Sequence, residues 1–167
     1  IAIDNGSKVT LTGGSVTSGV LRMDGKQPAE EGSKTEIGVR DGGSIFTANN
    51  VKLDTNLGAF DGGKIIINNS NINAPGGIYA SGKENKDTTI ITLNGSDSNT
   101  YKFSEYFEAD GNAIIKVYGG GTISKTSIDY TEGHDYPVIR VSNGADLDIE
   151  SVNGITNINS SVYVEDA

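Results

Sequence analysis

The chain has no cysteine and no tryptophan, one histidine, and three prolines among 167 residues. Without cysteine there is no disulfide framework and no thiolate metal site. A chain free of cysteine also suits passage through a periplasm in the unfolded state. With a single histidine, a zinc site would need three further carboxylate or water ligands, and no Ser-His-Asp order can be built around it. No apolar run approaches about 18 residues, so no helix of this sequence spans a bilayer. Positive charge is also scarce, with 13 Lys and Arg against 22 Asp and Glu, a formal net charge of -9 and a pI near 4.5. Binding to a phosphate backbone draws on clusters of Lys and Arg, so nucleic acid is not an expected partner. Only 35% of residues are hydrophobic and 7% aromatic. That is little for a compact globule, but enough for the thin axial core of a repeat protein.

What the chain does have is glycine, 23 residues of it, placed at recurring corners rather than in a featureless tract. Asp-Gly-Gly occurs at Asp41 to Gly43 and again at Asp61 to Gly63, 20 residues on, each time after a short apolar strand and before another. Looser copies place corners at Asp4, Asp24, Ser81, Asp110, Ser142 and Asp166, so that successive intervals are 20, 17, 20, 20, 29, 32 and 24 residues. Self-similarity near this period with strand chemistry marks a β-solenoid. No segment carries apolar residues at helical spacing over ten positions, and β-branched residues with Gly and Asn dominate. Almost no helix is expected.

The fold class expected is therefore all-β, a right-handed single-stranded parallel β-helix of about six coils with loop insertions. It spans residues 1–167 as one repeat domain, a piece cut from a longer repeat protein and truncated at both ends. At a strand spacing of about 4.8 Å, six coils give a length of about 29 Å. Alternation puts Val9 and Leu11, Phe46 and Ala48, Ile115 and Val117, and Leu147 and Ile149 inward, and points Asp146, Asp148 and Glu150 outward. A third strand per coil is expected through Val16, Val51 and Leu53, Ile72, Ile123, and Ile155 with Ile158. One detail resists the scheme. The apolar pair sits two and four residues before the corner in Leu57/Ala59, but one and three before it in Phe107/Ala109 and Ile139/Val141. A slip of one residue reverses the face of every side chain in a strand, so either some corners absorb an extra residue or the alignment fails there. The polar stretches Lys26 to Lys34, Gly82 to Asp87, Ser96 to Glu105 and Lys125 to Tyr136 read as excursions, and in solenoids such insertions collect on one face, often the binding face.

Catalytic chemistry is hard to assemble. His134, between Glu132 and Asp135, reads as an exposed loop histidine; the sharper alternatives are a general base with a carboxylate orienter or a metal ligand. Polysaccharide hydrolases work with a pair of carboxylates across the sugar bond, whereas the aspartates here stand singly or at i, i+2. The arginines Arg22, Arg40 and Arg140 each stand alone beside a corner. The acidic stripe Asp146, Asp148 and Glu150 would accept calcium if a neighbouring coil supplied more oxygens; its plain reading is a solvated face that discourages edge pairing. No metal or cofactor is expected, and no enzymatic activity. The remaining signal is aromatic: seven of the eleven aromatics fall between Tyr101 and Tyr136. Aromatic rings supply large contact area, hydrogen-bonding tips and sugar-stacking faces. Tyr101, Phe103, Tyr106, Tyr130, His134 and Tyr136 are accordingly the candidate binding residues, with about half the aromatic cluster expected to face the core.

The runs Val9 to Gly19 (VTLTGGSVTSG) and Asp61 to Gly82 (DGGKIIINNSNINAPGGIYASG) alternate strand and Gly/Asn corner in a style that resembles the passenger domains of type V autotransporters. The likeness is to the broad pertactin and AIDA-like group, including adhesive or vasculoproliferative passengers of the Bartonella type. It spans most of the chain and rests on motifs that any right-handed β-helix can generate. The resemblance implies a non-enzymatic adhesin or virulence factor, displayed on the bacterial outer-membrane surface or released from it. It also implies binding to a host cell-surface protein, matrix or glycan, self-association, and anchoring by an outer-membrane β-barrel outside this chain. Two other readings stand beside it: a polysaccharide-active β-helix, lyase or hydrolase, and a structural stalk presenting a binding tip elsewhere.

Overall fold

A computed structural model of the chain describes residues 1–17, 36–126, 139–152 and 154–165. Each coil contributes three strands. The first holds β1 (Ala2–Ile3), β2 (Lys8–Thr12) and β3 (Ser15–Thr17), the second β4 (Glu36–Arg40), β5 (Ile45–Asn49) and β6 (Lys52–Asp54), and the third β7 (Asn56–Phe60), β8 (Lys64–Asn68) and β9 (Asn71–Ala74). The fourth holds β10 (Gly77–Gly82), β11 (Thr89–Asn94) and β12 (Thr100–Phe103), and the fifth β13 (Tyr106–Gly111), β14 (Ala113–Tyr118) and β15 (Gly121–Lys125). The sixth holds β16 (Ile139–Ser142), β17 (Asp146–Glu150) and β18 (Thr156–Asn159), and β19 (Val162–Glu165) opens a seventh.

Every third strand stacks in parallel on its counterpart in the next coil. Sheet 1 runs β1-β4-β7-β10-β13-β16-β19, sheet 2 runs from β2 through β5, β8, β11 and β14 to β17, and sheet 3 from β3 through β6, β9, β12 and β15 to β18. No helix occurs among the described residues. This is a three-sided parallel β-helix of six coils, wound right-handed as parallel crossovers almost always are.

The axial core is a set of ladders, each built by one inward position repeated coil after coil. Sheet 1 stacks Ile37, Leu57, Ile78, Phe107 and Ile139 in one row and Val39, Ala59, Ala80, Ala109 and Val141 in the next. Sheet 2 stacks Phe46, Ile65, Ile91 and Ile115, and sheet 3 stacks Leu53, Ile72, Tyr101 and Ile123. All of these are buried. The alternation expected for Phe46/Ala48 and Ile115/Val117 holds, because a strand with one face on the core must keep its parity.

That parity also resolves the slip at the corners. Ser81 pairs with Phe60, not with Asp61, while Ser81, Asp110 and Ser142 pair with one another. The side-chain rows therefore stay in step and the turns absorb the difference, occupying residues 41–44, 61–63, 83–88, 112 and 143–145 in successive coils. A corner residue is a poor origin for aligning the coils; an inward aliphatic is a good one.

Polar side chains serve the corners. Asn68 Nδ2 donates to Asn49 Oδ1 at 2.8 Å and Asn94 Nδ2 to Asn68 Oδ1 at 2.7 Å, a ladder that satisfies each amide with the one above it. Buried Ser70 and Thr89 accept the Val51 and Gly62 N–H groups, each at 2.9 Å, so these backbone donors are not stranded inside. The excursion 83–88 folds back over the two Asp-Gly-Gly corners. Lys83 Nζ lies 3.0 Å from Asp61 Oδ2, and Asp87 sits so close that a Cβ on Gly42 would come within 2.2 Å of its Oδ2. At Gly62, with φ +95°, the backbone is left-handed and a Cβ would also meet the Asp87 Cβ at 2.9 Å. Gly62 is thus required by the loop above it as well as by the turn. On another edge, Asp97 Oδ1 accepts the Ile155 N–H at 2.6 Å, joining the fourth coil to the sixth.

Candidate functional site

The inward faces of the three sheets share one chemistry, so their differences lie outside. Sheet 3 points Lys52, Asp54, Asn71, Asn73, Thr100, Lys102, Thr122 and Ser124 away from the core, a polar surface throughout. Sheet 2 turns half-buried Ile45, Ile66, Ile90 and Ile114 outward, among Thr47, Thr92, Lys64 and Lys116, and ends on Asp146, Asp148 and Glu150. Sheet 1 carries the aromatics. Arg40 and Phe60 pair across neighbouring strands, as do Tyr79 and Glu108, and Glu108 and Arg140.

These residues form a diagonal stripe over four successive coils. The Arg40 guanidinium lies 4.7 Å from the Phe60 ring centre, within cation–π range. Phe60 meets Tyr79 at 5.8 Å between centroids with planes at 59°, and Tyr79 meets Tyr106 at 5.9 Å and 75°. Edge-on contacts of this kind suit the ring quadrupoles. The stripe exists because the positions beside it hold no side chain. Gly58 pairs with Tyr79 and Gly77 pairs with Tyr106, and the Tyr106 ring lies so near Gly77 that a Cβ there would come within 2.4 Å of its Cδ2. Asn56 Oδ1 accepts the Gly76 and Gly77 N–H groups at 2.7 and 3.2 Å, which fixes the turn under that ring.

Charge gathers on the C-terminal side of the stripe. Burial raises the Glu108 carboxyl above its ordinary range against the opposing pull of Arg140, with Asp110 and Glu165 adding to the rise. Burial likewise raises the Tyr79 phenol, against a hydrogen bond with Ser81. Arg140 pairs with Glu165. Asp110 is held by its neighbours: Ser142 Oγ donates to Asp110 Oδ1 at 3.0 Å and Asn143 Nδ2 at 2.7 Å. Among the described residues no group of three His, Asp or Glu side chains is placed to hold a metal ion.

Of the candidate binding residues that the structure describes, only Tyr106 lies on this surface. Tyr101 and Phe103 are fully buried and have nothing to present to a partner, which corrects the expectation for both. Tyr101 takes the place held by Ile72 and Ile123 in the sheet 3 ladder, and Phe103 packs on Phe107 with centroids 5.8 Å apart. The stretch Ser96 to Glu105 is correspondingly not an excursion in full, since β12 lies within it. Burial pushes the Tyr101 phenol up to about 12, and its hydroxyl has no hydrogen-bond partner among the described residues. Tyr130, His134 and Tyr136, and the excursion Lys26 to Lys34, lie outside the described residues.

Phe60, Tyr79 and Arg40 are the surface residues that a search for aromatic clustering along the chain misses. The signal that finds them is the row register, which brings residues about one coil apart into contact. Comparison of the chain with protein families, with curated proteins and with solved structures finds no match in any of the three.

Proposed function

We propose that this chain is a section of a passenger of the pertactin and AIDA-like kind, displayed on or released from a bacterial outer membrane. In this reading it binds a host cell-surface protein, matrix component or glycan without catalysis. The resemblance of the coil motifs supports the setting. The observation that supports binding is the stripe of Phe60, Tyr79 and Tyr106 with Arg40, half-buried aromatic surface on the outer side of sheet 1. Aromatic and arginine side chains dominate the energetics of recognition surfaces.

The test is adhesion of the labelled 167-residue chain to host epithelial and endothelial cells and to immobilised matrix. The triple variant Phe60→Ala, Tyr79→Ala, Tyr106→Ala is compared with a triple variant on sheet 3, Asn73→Ala, Lys102→Ala, Thr122→Ala. Saturable adhesion that falls at least tenfold with the first and stays level with the second is expected. Adhesion indifferent to both, or none at all, overturns the reading.

A further inference from the structure

We propose that Asn143 is a self-modifying site: it deamidates in the folded protein, and the carboxylate that results stands against Asp110 and loosens the corner between the fifth and sixth coils. The reaction needs neither ligand nor partner.

The chemistry is intramolecular. The backbone nitrogen of the residue after an asparagine gives up its proton and attacks the side-chain Cγ. A five-membered succinimide closes as the Cγ–Nδ2 bond breaks and ammonia leaves. Water then opens the ring at either carbonyl, giving aspartate or isoaspartate. Glycine in the second position favours the attack, because no Cβ crowds the nucleophile.

Three Asn-Gly junctions have both members among the described residues, Asn5-Gly6, Asn94-Gly95 and Asn143-Gly144, and the fold treats them differently. At the first, the Gly6 N–H donates to the buried Ser44 Oγ at 3.0 Å. At the second, the Gly95 N–H donates to the Tyr118 carbonyl at 2.9 Å and Asn94 Nδ2 to Asn68 Oδ1 at 2.7 Å, so ladders hold both reacting groups. At the third, the Gly144 N–H has no hydrogen-bond partner among the described residues. Asn143 and Gly144 are exposed, and a Cβ on Gly144 would meet nothing within 4 Å. Of the three, this junction alone leaves its nucleophile untied.

The site is also placed to have a consequence. Asn143 Nδ2 donates to Asp110 Oδ1 at 2.7 Å, and the Ser142 hydroxyl donates to the same oxygen at 3.0 Å. Conversion of the amide to a carboxylate turns a donor into a second acceptor and sets two like charges in contact. The Asn143 N–H donates to the Glu165 carbonyl at 3.3 Å, so isoaspartate, which inserts a methylene into the backbone, also disturbs the hold on β19.

The test incubates the whole chain in mildly alkaline buffer, folded and in guanidinium chloride, with digestion at intervals and peptide mapping by mass spectrometry. In the folded chain Asn143 should convert at least about fivefold faster than Asn5 and Asn94, whereas in denaturant the three should agree within about twofold, because only structure separates them. Conversion of Asn143 no faster than that of Asn94 in the folded chain overturns the modification. The consequence is read by urea unfolding of Asn143→Asp. Its midpoint should fall below that of the wild type, and adding Asp110→Asn should recover most of the loss. A midpoint equal to wild type, or a loss that Asp110→Asn leaves in place, overturns the loosening. The mapping is made on the wild-type chain and stands even where a variant unfolds.

Discussion

Sheets 1 and 3 are built from equivalent parallel ladders and turn equivalent aliphatic rows inward, yet their outward rows differ completely. Sheet 3 shows Asn, Thr, Ser and Lys to solvent; sheet 1 shows Arg40, Phe60, Tyr79 and Tyr106 over glycines. The coil constrains what faces the axis and leaves the outward positions free, so sheet 3 is polar where sheet 1 carries rings and sheet 2 carries a row of isoleucines. In a sheet the unit of stabilisation is the cross-strand pair, and in sheet 1 those pairs have been diverted to holding rings in place over glycine.

The largest expected effect separates inward from outward aromatics. Phe103→Ala should cost about 3–5 kcal/mol, as for other buried phenylalanines, and Tyr106→Ala about 1 kcal/mol from lost ring contacts. Urea unfolding followed by circular dichroism gives both; equal losses would place Tyr106 in the core and dissolve the contrast. Next comes the floor of the stripe. Gly77→Val forces a Cβ to within 2.1 Å of the Tyr106 carbonyl oxygen, and should cost about 1–3 kcal/mol through overpacking. Asn73→Val on the exposed face of sheet 3 should change stability by less than about 0.5 kcal/mol.

Smaller is the effect of Tyr101→Phe, which removes a buried hydroxyl that has no hydrogen-bond partner among the described residues. It should stabilise the protein by up to about 1 kcal/mol, since an unsatisfied buried group carries only a desolvation cost. The wild-type phenol, raised to about 12, keeps its proton in the folded chain after the unfolded chain has lost it at about 10. The stability this contributes is complete below the lower value and lost as pH rises through the higher one. An alkaline ultraviolet titration should show a tyrosine step near 12, and Tyr101→Phe should abolish it. The smallest effect is at Glu108. Its raised carboxyl favours the protonated form in the folded state, so stability falls as pH rises from the ordinary glutamate range through the raised value. Glu108→Gln should flatten that part of the urea midpoint profile; an unchanged profile would show that solvent screens the group.

The coil was legible because its signals are local. The two Asp-Gly-Gly corners fix a period, and Phe46/Ala48 or Ile115/Val117 reveal which face is inward by parity alone. The stripe was not legible, because contact between Phe60 and Tyr79 depends on register between coils, and Ser81 offered a false origin by pairing with Phe60 instead of Asp61. Tyr101 and Phe103 misled for a related reason. They follow the polar corner Gly95 to Asn99 in a short strand, and an aromatic in an aliphatic ladder looks the same in sequence as one on a surface. Only the neighbours Ile72 and Ile123 in register show which it is.

The fourth coil holds more than its own neighbours. Through Asp87 it presses on the corner of the second coil, and through Asp97 it bonds the backbone of the sixth. A stack in which each repeat touches only the next one frays from its ends, coil by coil, with many partly melted states. Links that skip a coil alter that arithmetic. The sixth coil cannot leave without breaking a hydrogen bond to the fourth, so the loss of one end of the rod is coupled to its middle.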